Sequence, residues 1–262
     1  MINFKRKAHY TFEDVIAIIH LLRSPGGCPW DQAQTHGSIR RNFLEETYEA
    51  CEAIDNDDPD ALCEELGDVL TQVVFHADLE QEAGRFSLED VYDSICNKMI
   101  RRHPHIFMEE TPDVQPPGNS NWDELKRKEK GQTTYTQTLE AVANSLPALW
   151  RAEKLQIKAA KAGFQWDSPV EALQKLQEEV RELEQASGEE FLSHISEELG
   201  DVLFAAVSVA RLYALDPEAV LHSTCEKFIH RFSQLEEQVN AMGGSMETAT
   251  KQELLQLWDR SQ

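Results

Sequence analysis

Apolar residues recur at every third or fourth position through most of the chain, and strand-like alternation is scarce. Leu66, Leu70, Val73 and Ala77 form one such stripe, and Leu199, Leu203, Ala206 and Ala210 form its counterpart in the second half. This period predicts amphipathic helices, each stripe facing a helix-bundle core. Chain breakers fall where hairpins need them: Asp-Asn-Asp-Asp-Pro at 55–59 and Ala-Ser-Gly at 186–188. The fold class expected is therefore all-α, with an antiparallel helical hairpin at the centre of each half.

A polar, Pro-rich stretch begins at Thr111-Pro112-Asp113, and a second weakly structured run covers 131–138. Between them Trp122 to Lys130 is predicted as a short charged helix. The expected organisation is a first helical domain over 1–110, a linker over 111–138 and a second helical domain over 139–262.

The two halves repeat one another. Glu46 matches Glu179, Glu49 matches Glu182, Glu65 matches Glu198 and Asp68 matches Asp201, each pair 133 positions apart. Trp30-Asp31 and Trp122-Asp123 match Trp166-Asp167 and Trp258-Asp259 at 136, while Lys98 and Arg102 match Lys227 and Arg231 at 129. Blocks in constant order with small gaps between them are what duplication of one helical unit leaves behind.

Composition narrows the chemistry. A formal net charge of −22 over 262 residues argues against a duplex nucleic-acid binder, which needs a basic footprint. The apolar run at 15–22 is too short to span a membrane and contains His20. Five cysteines without Cys-x-x-Cys spacing fit reduced, mostly buried thiols in the cytoplasm.

Residues three apart on a helix have β-carbons about 5–6 Å apart on one face. Glu46 and Glu49 therefore converge, as do Glu65 and Asp68. The 15 residues at 50–64 allow a turn and an antiparallel return that brings the pairs face to face. Carboxylates so crowded repel and raise one another's pKa, a conflict that a divalent cation relieves. Their hard oxygens suit Mg²⁺, with Mn²⁺ as a substitute. A di-iron bundle wants Glu-x-x-His on two helices, and none of the nine histidines has a Glu three positions earlier. Acidic pairs at helical spacing more often only solvate a surface, but that reading has to explain two pairs at fixed separation, twice over. Gly67 and Gly200 sit inside the helices, where glycine costs about 1 kcal/mol relative to alanine. Close approach of a backbone or ligand, or a tight helix crossing, would offset it.

Lys98 with Arg102, and Lys227 with Arg231, put two cations four apart on a later helix, suited to gripping phosphate oxygens or to ordinary surface charge. Lys175 is either a phosphate ligand or an i,i+4 partner of Glu179. Trp30 and Trp166 read as packing and helix-start residues. Trp258 reads as core packing first and as a stacking face for a base second.

Gly27-Cys28-Pro29-Trp30-Asp31, Leu44-Glu45-Glu46-Thr47-Tyr48-Glu49, Glu64-Glu65-Leu66-Gly67-Asp68, the run Arg101 to Phe107, and Phe164-Gln165-Trp166-Asp167 through Lys227 and Arg231 together resemble the MazG family. These are all-α nucleoside triphosphate pyrophosphohydrolases with tandem MazG domains. The resemblance covers nearly the whole chain. It implies Mg²⁺-dependent hydrolysis of nucleoside and deoxynucleoside triphosphates to monophosphate and pyrophosphate, with water attacking the α-phosphorus, in a homodimer. It further implies that Glu179, Glu182, Glu198 and Asp201 hold metal, that Lys175, Lys227 and Arg231 bind phosphates, and that Trp258 contacts the base. Glu46, Glu49, Glu65, Asp68, Lys98 and Arg102 form the equivalent N-terminal set. Glu178 and Glu179 are the candidates for the general base, and the sequence does not choose between them. The alternatives are a non-catalytic nucleotide-sensing or oligomerisation module, and a related pyrophosphatase acting on another nucleotide such as phosphoribosyl-ATP.

Overall fold

A computed structural model describes residues 4–107, 127, 129–188 and 191–260. It divides into two compact units, Met1–Trp122 and Asp123–Gln262. Every regular element among the described residues is a helix. None of those helices is long and apolar enough to cross a membrane. Of the short charged helix expected at 122–130, only Arg127, Glu129 and Lys130 are described; Trp122 and Asp123 lie outside the described residues.

The first unit contains α1 (Phe12–Arg23), α2 (Pro29–Gln32), α3 (His36–Asp55), α4 (Pro59–Glu82), α5 (Leu88–Arg102) and α6 (Pro104–Phe107). Its spine is the α3–α4 hairpin, with α1 and α5 packed on α4. Local chemistry sets the turn at 56–58. Asp57 takes a left-handed φ of 52°, then the Asp58 side chain accepts from the amides of Asp60 and Ala61 while Pro59 opens the helix. The core gathers Ile19, Ile39, Val74, Phe75, Ala77 and Leu88.

Two polar networks fasten this unit. Arg23 on α1 donates from Nε to Asp78 Oδ2 at 2.7 Å, from Nη2 to Glu82 Oε2 at 2.5 Å and from Nη1 to the Asp31 carbonyl at 3.2 Å. Its guanidinium also lies 4.8 Å from the Phe75 ring centre. At the start of α3, His36 Nδ1 lies 2.7 Å from His76 Nδ1, with the rings within 5° of parallel and their centres 5.0 Å apart. His36 Nε2 meets Glu80 Oε1 at 2.5 Å, and Arg85 donates to both Glu80 oxygens.

The second unit contains α7 (Tyr135–Glu140), α8 (Ala148–Lys161), α9 (Pro169–Ala186), α10 (Leu192–Leu212), α11 (Pro217–Ala241) and α12 (Lys251–Arg260). The α9–α10 hairpin repeats α3–α4, and α8 packs on α10 and α11. Trp150 Nε1 on α8 donates to Asp216 Oδ1 at 2.9 Å, and the same carboxylate caps α11 through the amides of Glu218 and Ala219.

The stripes do not face a core along their whole length. Val73 and Ala77 are shielded, but Leu66 is 55% exposed, Leu199 47% and Leu203 53%, and Leu70 and Ala206 are exposed too. Within one chain, core side chains cover α4 from about Val73 onward and α10 from about Ala205 onward; the preceding turns carry their leucines beyond that cover. The thiols depart from expectation as well. Cys51, Cys63, Cys96 and Cys225 are free and exposed and Cys28 is half-buried, because they lie on helix or loop faces turned away from the cores.

Candidate functional site

The hairpin geometry brings acidic residues together in each unit. One carboxylate oxygen from each of Glu46 and Glu49 on α3 and Glu65 on α4 lies within 4.8 Å of the others, and Glu179 and Glu182 on α9 meet Glu198 on α10 within the same limit. Asp68 and Asp201, one turn further along the second helix, stand outside these trios. Burial, followed by the charges of Asp68 and Glu49, raises the pKa of Glu46 above its ordinary value. Burial, then Glu49 and Asp68, does the same to Glu65. In the second unit a carboxyl–carboxyl hydrogen bond to Glu179, then burial, raises Glu182. The like-charge conflict read from the sequence is thus present in both halves.

The trios differ in their cations. Lys175 Nζ lies 2.8 Å from Glu179 Oε1 and 3.1 Å from Glu178 Oε2, so both candidate bases share one ammonium. Those carboxylates raise the Lys175 pKa and keep it charged. Here the lysine is the partner of its own helix's carboxylates. At the equivalent place in the first half stands Asn42, and the Glu178 equivalent, Glu45, pairs instead with Arg41 at 2.7 Å. His194 Nε2 meets Glu198 Oε1 at 3.2 Å, a contact that sequence reading missed although the i,i+4 spacing was visible.

Glu179, Asp201 and Lys175 line a cavity of about 460 Å³. Its walls are largely apolar, with Leu155, Ala159 and Ala205 among them, and Phe164 and Trp166 also line it. Trp166 thus borders a cavity rather than simply packing at a helix start, and its counterpart Trp30 is 59% exposed. A neighbouring recess of about 330 Å³ is lined by Trp166, Lys175, Glu178 and Arg181. Gln156 and Arg211 line the larger cavity and were not singled out by sequence; a Gln among the apolar positions of α8 was the available signal.

The remaining cations and Trp258 lie elsewhere. Lys227, Arg231 and Trp258 are not among the described residues that line either space. Arg231 sits with its guanidinium carbon 4.1 Å from the Trp258 ring centre and donates from Nη2 to the Trp258 carbonyl at 3.0 Å. Phe228 packs against the same ring at 5.2 Å. Within the single chain Trp258 is a packing residue that anchors α12 to α11. Lys227 is exposed, and Lys98 and Arg102 are half-buried on α5.

Gly67 and Gly200 are exposed, and a β-carbon built on either would meet nothing within 4 Å. Among the described residues, neither a helix crossing nor a neighbouring backbone explains them.

The model of the MazG nucleotide pyrophosphohydrolase domain matches residues 34–107 and again 167–235. Each match begins before the first helix of a carboxylate hairpin and extends beyond the second. The chain is 38% identical over 258 residues to the nucleoside triphosphate pyrophosphohydrolase/pyrophosphatase MazG of Thermotoga maritima, covering 98% of this chain and 97% of that protein. It is 37% identical over 249 residues to the nucleoside triphosphate pyrophosphohydrolase of Escherichia coli K12, covering 94% and 95%. An uncharacterized Bacillus subtilis protein, YabN, is 40% identical over 261 residues, which span 99% of this chain and 53% of that longer one.

Proposed function

This chain belongs to the MazG nucleotide pyrophosphohydrolase family, and on that footing we propose that it hydrolyses nucleoside and deoxynucleoside triphosphates to the monophosphate and pyrophosphate, mainly in its second unit. The observation that carries the proposal is the Glu179, Glu182 and Glu198 trio beside a cavity of small-molecule size. Such sites run to about 300–1,000 Å³.

The donor set fits a hard divalent cation: three carboxylates on two helices, each offering an oxygen, and a raised pKa at Glu182. Glu179, Glu182, Glu198 and Asp201 would hold Mg²⁺ or Mn²⁺, as would Glu46, Glu49, Glu65 and Asp68 in the first unit. When bound, the ion supplies Lewis-acid polarisation of phosphoryl oxygens and acidifies a water.

The chain's own groups do the rest. A water oxygen bonds to the α-phosphorus, the bond from that phosphorus to the bridging oxygen breaks, and the electron pair leaves with pyrophosphate. Glu178 or Glu179 takes the water's proton, and Lys175, 2.8 Å from Glu179, holds that carboxylate in place until the phosphates arrive. Lys227 and Arg231, with Lys98 and Arg102 in the first unit, are assigned to phosphate oxygens. The family domains are taken as 1–110 and 139–262, joined by 111–138.

A homodimer is part of the same proposal. The open faces at Leu66, Gly67 and Leu70, and at Leu199, Gly200 and Leu203, are apolar and sterically clear, which suits pairing of two hairpins into a four-helix unit.

The test is release of pyrophosphate against phosphate from each triphosphate with Mg²⁺, comparing wild type with Glu179→Gln and Glu46→Gln. Pyrophosphate lost only in Glu179→Gln supports the second-unit site. Nucleotide binding without turnover in wild type would replace the enzyme with a sensor.

A further inference from the structure

At the entry to α3 two imidazoles meet nitrogen to nitrogen. His36 Nδ1 and His76 Nδ1 are 2.7 Å apart, while the ring centres are 5.0 Å apart and the planes lie within 5° of parallel. The second separation exceeds the first by about the two centre-to-nitrogen radii, so both nitrogens lie near the line joining the ring centres. A lone pair or an N–H leaves each ring along that line, and the contact is therefore an in-plane hydrogen bond that needs one donor and one acceptor. His36 Nε2 meets Glu80 Oε1 at 2.5 Å, and Glu80 stays a carboxylate because hydrogen bonds from Arg85, and secondarily from His36, hold its pKa down to about 2. His36 must therefore bear a proton on Nε2.

The proton count follows from these contacts. With both rings neutral, His76 Nδ1–H donates to the bare Nδ1 of His36. One added proton is accommodated: it enters at His76 Nε2, and the bridging proton stays between the two Nδ1 atoms with either ring as its donor. A second leaves two N–H groups facing each other with no acceptor between them and two positive charges side by side. We propose that His36 and His76 form a proton-operated latch, which holds the first turn of α3 against α4 and lets go when both rings are charged. Burial, then the charge of His36, lowers the His76 pKa, while Glu80 acts in the opposite direction. Of the other elements packed on α4, α1 directs His20 and Arg23 to Asp78 and Glu82, and α5 contributes Leu88, Val91 and Tyr92. The folded pair resists a charge that the unfolded chain accepts. Its contribution is therefore complete above the ordinary histidine value of 6.5 and is lost as pH falls through the lowered His76 value. Ile39, Val74 and Phe75 belong to the core, so release frees the chain ahead of Ile39 and costs the unit no more than that local opening. In the register of the carboxylate repeat, Pro169, Val209 and Tyr213 stand where His36, His76 and Glu80 do, so the latch belongs to the first unit alone.

The test uses the full chain in chelator, from about pH 8 to about pH 5, the range in which histidine changes charge. Ring-nitrogen NMR of protein labelled at histidine should show His36 and His76 titrating as a pair in two steps, the second below the ordinary histidine value. Amide exchange over 36–39, corrected for its intrinsic pH dependence, should accelerate as the second proton is taken up, by up to about tenfold per pH unit for a one-proton linkage. Exchange over 73–77 and over the matching turn at 169–172 should not change. His76→Gln, whose amide offers a hydrogen bond and takes no proton, should make exchange over 36–39 independent of pH. Single-step titration of each ring on its own, flat exchange over 36–39 in wild type, or acceleration that persists in His76→Gln would overturn the latch. Where His76→Gln fails to fold, the wild-type NMR titration settles the matter by itself.

Discussion

Lys175 Nζ lies 2.8 Å from Glu179 Oε1, and the matching position in the first half is Asn42. An internal ammonium therefore occupies one carboxylate of the second trio, and nothing equivalent comes from that position in the first. Lys175→Met is expected to tighten Mn²⁺ binding to the nucleotide-free second unit several-fold, since the ion no longer competes with a fixed cation. The same change should raise the KM for triphosphates. Calorimetric Mn²⁺ titration with the first trio disabled by Glu46→Gln checks the first half; unchanged or weaker binding in Lys175→Met would contradict it.

Crowded carboxylates also set the pH response of the metal-free protein. Glu46, Glu65 and Glu182 have folded pKa values above their usual 4.5, so the folded chain takes up protons before the unfolded chain does. Stability must then rise as pH falls from neutrality towards 4.5, and relief of the −22 net charge acts in the same direction. Glu80 acts oppositely: hydrogen bonds from Arg85, and secondarily from His36, hold its pKa down to about 2. Its contribution is present above 4.5 and is lost as pH falls towards 2. Urea midpoints in chelator should therefore climb and then fall on acidification, with Glu46→Gln flattening the climb and Glu80→Gln the fall. Saturating Mg²⁺ should abolish the climb.

Arg23 is the buried cation of the first unit, held by Asp78, Glu82 and the Asp31 carbonyl. Arg23→Ala leaves the Asp78 carboxylate, at 8% exposure, with His20 Nδ1 at 2.8 Å as a remaining partner, and is expected to cost about 3 kcal/mol. The double variant Arg23→Met/Asp78→Leu should recover much of that loss. Urea unfolding should show the deficit in the first unit's transition only.

Gly67 and Gly200 give a prediction with two signs. Alanine at either fits the open space and should stabilise the isolated chain by about 0.5–1 kcal/mol. In the proposed dimer the added methyls point into the partner, so sedimentation should show weaker association, by several-fold or more. Stabilisation with unchanged association would remove these faces from the dimer contact.

Much of this fold was legible in the sequence because its determinants are local. The turn at 55–59 contains a capping aspartate and a proline at the first helical position, and the periodic stripes gave the helices and their pairing. Spacing pointed to four converging carboxylates in each half, and three of each set meet, whereas Asp68 and Asp201 stand outside the close groups. The exposed leucines were illegible because periodicity reveals an apolar face without saying what covers it. Gln156 and Arg211 escaped for a related reason: the cavity they line forms where α8, α9 and α10 meet, and no local spacing reveals it. Trp258 was half legible, since an aromatic near a cation pair reads equally well as a platform for a ligand or as packing, and the ring is in fact stacked under Arg231.

The first core, from Ile19 and Ile39 to Val74, Phe75 and Ala77, lies along the later turns of α4, whereas Glu65 projects from the earlier ones. The acidic trio and the core residues thus draw on different stretches of one helix. An acidic trio can change without unravelling the scaffold that presents it, and the surroundings of the two trios already differ at Asn42 and Lys175. A duplicated hairpin built this way is free to keep one half for chemistry while the other drifts towards a new ligand.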